Sequence, residues 1–505
     1  MTTTGKKILG IGILSILTLR LAVSLGLLID ANGFYTLSAD DVARARLALL
    51  WARSPSFFPD LTWPPLPFWL GGLLELLFHT GRSNLCLLSI LSSLFAIAII
   101  AGLTHSFHDE NPSEKEISAY IPAWFACAAY ALTPAWVWLG TCALAEAIYI
   151  ALFLAALLAY RYAWTRLSFG WAAVALLAAV FASMTRLEGA ALAFILYILL
   201  SIRFRRTILT PKGAAFLVGG IVLLCLFPAA WMVSHSSGAG GNLSYFTRLK
   251  GGFTAIYGNA PWHTTLQFIR IYLEFSPLYL FLALVGFFVL QSSREEPFLR
   301  RPAFIYIAPI LLYAAAQCAA AALGMMPTHS FWRLTAPVYV ALLPLAGYSF
   351  LPLSRLMPMR YLLITVLFCV FHQAYKIPEA PIFVKEDLFQ AGINLRDAAK
   401  ERNVPPESLL IEVFDWEWMP IAFLGCGGDF TRSQFDRNQN ISIALRMNDS
   451  QNPSLFAKSL PEIQRMLDAK KVQIAVAHSD RARKALMTLG WKAVKPGRYI
   501  VFSRP

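Results

Sequence analysis

Two adjacent carboxylates, Asp40 and Asp41 in Ser38-Ala39-Asp40-Asp41, follow directly on the first apolar run of the chain. Ser38 is a good helix N-cap and Asp41 stands three residues on, so the spacing predicts a helix start with both carboxylates in its first turn, kept ionised by the helix dipole. Adjacent residues on a helix point about 100° apart, so at most one of the pair faces a given substrate atom. One suits a general base that takes a proton from a hydroxyl, while its neighbour caps or orients. The bland alternative is that both only cap a surface helix.

A second set of ionisable residues interrupts apolar sequence further on. Glu146 lies in the run 142–150, near one end of a candidate membrane span, where a carboxylate costs a few kcal/mol unless it is solvated or paired. Thr185-Arg186-Leu187-Glu188-Gly189 forms a turn between two apolar runs; Arg186 there suits an anionic group, with Glu188 fixing its orientation, or the two pair only with each other. Arg333 opens another span, and Arg248 and Lys250 lie in a Gly-rich loop. These cations together suit a lipid phosphate. Phe253, Tyr257 and Trp262 border that loop and read singly as interfacial aromatics. His263 and His329 suit the positioning of an acceptor or ordinary packing, and His105 and His108 fall on the opposite side of the membrane from the acidic pair, which argues against a metal site there.

The elements that position these residues are read from composition and hydropathy. Of the 505 residues 57% are hydrophobic and only 14% charged, which places the chain among integral membrane proteins. Its net charge of +14 is scattered between apolar runs rather than gathered on one face, so nucleic acid is not an expected partner. Most of the 7 cysteines fall within apolar runs, and no disulfide framework or zinc pattern follows.

Lys6 and Lys7 precede the run 8–29, which reads as a signal anchor with a cytoplasmic N-terminus. Residues 30–83 form the first external loop. Within it 66–78 is apolar but short, and reads as interfacial or re-entrant. In that loop Val42, Ala45 and Leu49 recur at helical spacing away from Arg44 and Arg53, which suits a helix lying along the membrane surface.

Further runs at 84–104, 118–138, 142–160, 169–184, 189–202, 213–235, 266–290, 302–323, 334–351 and 361–375 bring the total to about eleven spans. Leaving 66–78 out of the count places Arg161, Arg166, Arg203, Arg205, Arg206, Lys212, Arg294, Arg300, Arg301, Arg355 and Arg360 in cytoplasmic loops, as the positive-inside bias requires. Asp40, Asp41, Glu146, Arg186, Arg333 and the loop 236–265 then share the external face. Residues 1–375 form the membrane domain, and 376–505 a soluble α/β domain on that same face. Its strand-like segments are 409–414, 472–477 and 499–502, with helical patterns at 462–470 and 481–489 and a C-capping Gly490.

Asp40-Asp41 after the first span, Trp63-Pro64-Pro65-Leu66-Pro67 before a short amphipathic segment, and Ala145-Glu146 opening a later span resemble, in that order, the GT-C superfamily of membrane glycosyltransferases. Within it the chain is similar, over about residues 8–350, to the protein O-mannosyltransferase and lipid A aminoarabinose transferase branch. The resemblance implies transfer of a sugar, with inversion, from a polyprenyl or dolichyl phosphate to an acceptor hydroxyl of a protein, glycan or lipid at the external face of a plasma or inner membrane. It implies that Asp40 is the base, that Asp41 assists, and that Glu146 helps to place acceptor or sugar. The family's common pair is Asp-Glu; Asp at 41 leaves the choice between 40 and 41 open. Since phosphate is a good leaving group, one base and one or two cations suffice and no cofactor is expected, with the question of a divalent cation left open.

A polytopic transporter or flippase is the main rival, since ionisable groups at membrane depth also mark substrate paths. It predicts such groups at the midplane of two similar halves, whereas here they gather at span ends and no repeat is visible. A non-catalytic assembly protein is a third reading. Asp415-Trp416-Glu417-Trp418 in the α/β domain suits sugar stacking or, more commonly, core packing.

Overall fold

The computed structural model describes residues 3–505 apart from 32, 60–62, 109–119, 208, 240–260, 275, 293–300, 324–330, 353–360, 362–363, 366–367, 369–385, 414–417, 427–432 and 437–452. The described chain is mainly helical. In order, its helices are α1 (Thr3–Asp30), α2 (Ala39–Arg53), α3 (Leu66–Phe78), α4 (Asn84–His108), α5 (Ile121–Leu132), α6 (Pro134–Leu139), α7 (Glu146–Arg166), α8 (Phe169–Ser183), α9 (Gly189–Phe204), α10 (Pro211–Ala239), α11 (Pro261–Glu274), α12 (Pro277–Ser292), α13 (Pro302–Ala322) and α14 (Phe331–Tyr348). Among these, α1, α4, α7, α10, α13 and α14 are long and apolar enough to cross a membrane, while α3, α5, α8, α9 and α12 are apolar but shorter. The protein is an integral membrane protein with an α-helical membrane part.

Two compact units divide the chain: one comprises Met1–Leu27, Ser89–Thr141 and Ala145–Ala380, the other Leu28–Leu88, Cys142–Leu144 and Pro381–Pro505. The loop that follows α1 thus belongs to the same unit as the C-terminal α/β part, whereas the sequence divides the chain only after 375.

In the helical unit, two of the expected continuous spans are interrupted. The run 118–138 becomes α5 and α6, because Pro134 has no N–H to donate and holds the preceding Thr133 in extended backbone, ψ 125°. The run 266–290 becomes α11 and α12, the second opening at Pro277. Most of 361–375 lies outside the described residues. Arg161, expected in a cytoplasmic loop, is instead buried in the last turns of α7: its guanidinium donates to Ser106 Oγ at 2.6 Å and to the Ser106 carbonyl at 2.9 Å, over the Phe107 ring. Carbonyls at the end of α4 need such a donor.

The break between α5 and α6 leaves helix-end carbonyls inside the unit, and Arg20 of α1 meets them. Fully buried, it donates through Nη1 to the Ala131 carbonyl at 3.1 Å and through Nη2 to the Trp136 carbonyl at 2.7 Å. The run 8–29 reads as apolar throughout, so this cation and its role are findings of the structure. Arg20→Leu is expected to lower stability by about 3 kcal/mol, the scale for stranding buried acceptors of charged donors. Arg20→Lys should recover only part of that, since an ammonium lacks the planar fork. Thermal unfolding in detergent measures both; an unchanged midpoint for Arg20→Leu would refute the assignment.

In the other unit, a five-stranded sheet of order β2-β1-β3-β5-β4 is formed by β1 (Leu409–Ile411), β2 (Gln434–Phe435), β3 (Ile474–Ala477), β4 (Lys492–Lys495) and β5 (Ile500–Ser503). The pairs β1/β2 and β1/β3 are parallel, and β3/β5 and β4/β5 antiparallel. Helices α15 (Glu386–Glu401), α16 (Trp418–Gly425), α17 (Leu460–Ala469) and α18 (Asp480–Thr488) accompany it. Ile463, Leu467, Ala482 and Leu486 bury the apolar faces of α17 and α18 against β1, β3 and β5. Gly490 follows α18 at φ +79°, the left-handed position that glycine supplies without strain.

Candidate active site

The acidic pair sits at the start of α2. Ser38 has extended backbone (φ −154°) and forms a capping box with Asp41. Asp41 is fully buried, and its Oδ2 accepts from the Leu37 and Ser38 amides, both at 2.8 Å, and from Thr36 Oγ1 at 3.1 Å. This carboxylate is therefore committed to folding its own loop back onto the helix start. Asp40, in the same turn but about 100° around the helix, remains partly exposed. The phenol of Tyr35, just before the loop, is pushed above its ordinary range by burial and then by the neighbouring Cys142 and Asp41.

The rest of α2 departs from a surface helix. Val42, Ala45 and Leu49 are buried as the stripe requires, but Arg44 and Arg46 are buried too. Arg44 lies over the ring of Trp63, 5.1 Å from its centroid, which gives the tryptophan of the Trp-Pro-Pro-Leu-Pro motif a local role. Helix α2 packs on α3 and α16, and Phe34 meets Phe423 of α16 at 4.4 Å between centroids, so the loop that carries Asp40 is anchored on the C-terminal α/β part. Helix α3 opens behind buried Pro64 and Pro65 and leaves Leu73, Leu76, Leu77 and Phe78 exposed. At 13 residues it is too short to cross a bilayer, and that apolar face suits the membrane interface.

The helical unit holds the second group of residues. Glu146 is the first residue of α7, where the helix dipole favours a carboxylate, and it is 1% exposed. One of its oxygens, Oε1, accepts from Arg186 Nη1 at 2.5 Å and from Arg333 Nε and Nη2 at 2.9 and 2.7 Å. Arg186 also donates through Nη2 to Glu188 Oε1 at 2.9 Å. The two arginines come from different places: Arg186 from the turn between α8 and α9, Arg333 from the first turns of α14. That turn needs Gly189, because a Cβ there would meet the Ser183 amide nitrogen at 2.4 Å. Burial lowers the affinity of the Arg186 guanidinium for its proton, and Glu188 and Glu146 more than offset this, so its pKa moves upward. The side chains of Arg186 and Arg333 are 15% and 13% exposed, against 1% for Glu146.

This arrangement draws together Glu146, Arg186, Glu188 and Arg333, which in the sequence are separate candidates. It adds residues that the sequence reading passed over: Tyr149, Tyr313, Gln317 and Tyr272 form a chain of polar side chains beside the cluster. Gln317 in an apolar span was the available signal, since a polar group at that depth needs a partner. Arg248 and Lys250 lie outside the described residues, as do Phe253, Tyr257, His329 and Asp415–Glu417. Trp418 is buried, edge-on to Phe435 at 4.9 Å, and serves the core. Among the described residues no group of three or more His, Cys, Asp or Glu side chains is arranged to hold a metal.

No protein-family model matches the chain, and no curated protein does. Solved structures do match it over almost its whole length. ArnT from Cupriavidus metallidurans bound to undecaprenyl phosphate superposes with a TM-score of 0.64 at 15% identity, covering 99% of this chain and 98% of that one. The chain has the fold of ArnT. ArnT in the apo state gives a TM-score of 0.66 at 14% identity, over 100% of this chain and 98% of that one. The oligosaccharyltransferase of Archaeoglobus fulgidus in the apo form gives 0.51 at 14% identity, over 92% of this chain and 69% of that one. At such identities the likeness is one of fold, and the expected GT-C-like architecture with a small C-terminal α/β part is the one observed.

Proposed function

We propose that this protein is a glycosyltransferase that moves a sugar from a polyprenyl or dolichyl phosphate to an acceptor hydroxyl at the external face of the membrane, with inversion. The observation that carries the reading is the pair of arginines on Glu146, two partly exposed cations at the ends of membrane helices, in a fold whose solved example ArnT holds undecaprenyl phosphate. A guanidinium pair presents forked donors to phosphate oxygens and stabilises the charge that grows as the sugar–phosphate bond breaks. Asp40 takes the acceptor proton as the acceptor oxygen forms its bond to the anomeric carbon, and polyprenyl phosphate leaves with the electron pair of the broken bond. Asp41 holds the loop that presents Asp40. Glu146 holds Arg186 and Arg333, a different role from placing acceptor or sugar. Arg248 and Lys250 are further candidates for the phosphate. This chemistry requires no cofactor, and the sugar is a hexose or pentose.

Transfer of radiolabelled sugar from a panel of polyprenyl-phosphate sugars by the purified protein in nanodiscs tests the reading. Turnover with one donor class and release of free polyprenyl phosphate is the expected result. Absence of transfer from every donor, with vectorial movement of the intact lipid across the bilayer, would replace the enzyme by a flippase.

A further inference from the structure

Gln317 of α13 is buried and its amide is fully used. Nε2 donates to the Leu334 carbonyl at 3.0 Å and to the Tyr313 hydroxyl at 3.2 Å, and its carbonyl oxygen accepts from the Tyr272 hydroxyl of α11. The Tyr313 hydroxyl lies 2.6 Å from that of Tyr149, and both tyrosines are buried and within electrostatic reach of Arg186 and Glu188. The two ends of this chain are the point. Leu334 directly follows Arg333, and Tyr149 stands one helical turn after Glu146 in α7.

Helix α14 needs such an anchor where Arg333 sits. Pro337 stands four residues after Arg333 inside the helix and has no N–H to give to the Arg333 carbonyl, so the turn carrying the guanidinium lacks one of its helical bonds. An arginine side chain is long and flexible, and two forked bonds to a phosphate form only if its backbone is fixed. Gln317 supplies that fixation from the neighbouring helix, in parallel with the ion pair to Glu146 and without adding charge. A fully satisfied buried network of this kind rigidifies what it joins.

We propose that Gln317 is a positioning residue for the lipid phosphate, holding the Arg333 turn in register with Glu146 through Tyr313 and Tyr149. The proposal rests on the reading that Arg333 contacts that phosphate. Binding of a short-chain polyprenyl phosphate to the protein in zwitterionic nanodiscs tests it, with the phosphate-free polyprenol as control. Gln317→Leu loses the three hydrogen bonds of the amide and is expected to weaken phosphate binding about tenfold, raising the donor KM with kcat nearly unchanged and leaving polyprenol binding as it was.

Tyr313→Phe keeps the ring, removes only the hydroxyl and should act in the same direction to a smaller extent; it serves equally if Gln317→Leu does not fold. On an Arg333→Ala background neither variant should weaken binding further, because coupled residues do not act additively. Additive losses, or equal losses for phosphate and polyprenol, would make Gln317 a packing residue and overturn the proposal, as would wild-type binding by both variants. Wild-type phosphate binding by Arg333→Ala alone would remove the underlying reading instead.

Discussion

Asp40→Asn is expected to lower sugar transfer by about two orders of magnitude or more, the scale of a lost general base, with donor binding and thermal stability close to wild type. Asp41→Asn is expected to show the converse. Its Oδ2 satisfies two main-chain amides and a threonine hydroxyl at the start of α2, so the neutral amide weakens a buried charge-assisted cap and should cost about 1–3 kcal/mol of stability. Turnover of that variant should fall only as far as the loop loosens. The two substitutions are the same chemical change at neighbouring positions, so nonspecific effects cancel in the comparison. Measuring transfer rate, lipid binding and unfolding midpoint for both separates the roles. Loss of turnover in Asp41→Asn at unchanged stability, with Asp40→Asn active, would exchange the assignments, and full activity in both would leave the acidic loop a structural cap.

What the sequence made legible follows from the cost of charge in an apolar chain. Asp40, Asp41, Glu146, Arg186 and Arg333 stood out because few charged residues interrupt this sequence, and the pairing of Arg186 with Glu188 was within reach of local spacing. The sharing of one Glu146 oxygen by Arg186 and Arg333 was not, since the partners are 40 and 187 residues away and only the packing of α7, α8, α9 and α14 brings them together. Arg20 escaped notice for the opposite reason: a single cation hardly lowers the mean hydropathy of its span, which is 2.1.

The interruptions at Pro134 and Pro277 were written in the sequence, yet the apolar pattern runs through both. Hydropathy records solvent preference and not backbone continuity. In the α/β part, β1, β3 and β5 were legible as buried apolar runs, while β4, with two lysines in four residues, and the two-residue β2 carry no such pattern.

Glu146→Gln gives the sharpest test of what the arginine pair is for. In the native protein three donors from two guanidinium groups converge on one carboxylate oxygen of a residue that is 1% exposed. Removing that charge leaves the two cations facing a neutral amide in a partly desolvated setting. Arg186 keeps Glu188, but the mutual repulsion of the guanidinium groups is no longer screened by the anion between them. Breaking a buried pair from one side typically costs roughly 3–5 kcal/mol, and because both arginine side chains are partly exposed the expected loss is about 3 kcal/mol.

A purely structural cluster stops there: the variant is less stable, and ligands that bind elsewhere stabilise it no more than wild type. A phosphate site behaves otherwise, because the incoming anion replaces the missing charge. Polyprenyl phosphate should therefore raise the unfolding midpoint of Glu146→Gln by more than it raises that of wild type, whereas the uncharged polyprenol should shift both alike. Equal shifts with the phosphate would place the lipid headgroup away from Arg186 and Arg333 and leave Glu146 as the centre of a structural ion cluster that ties α7 to α14.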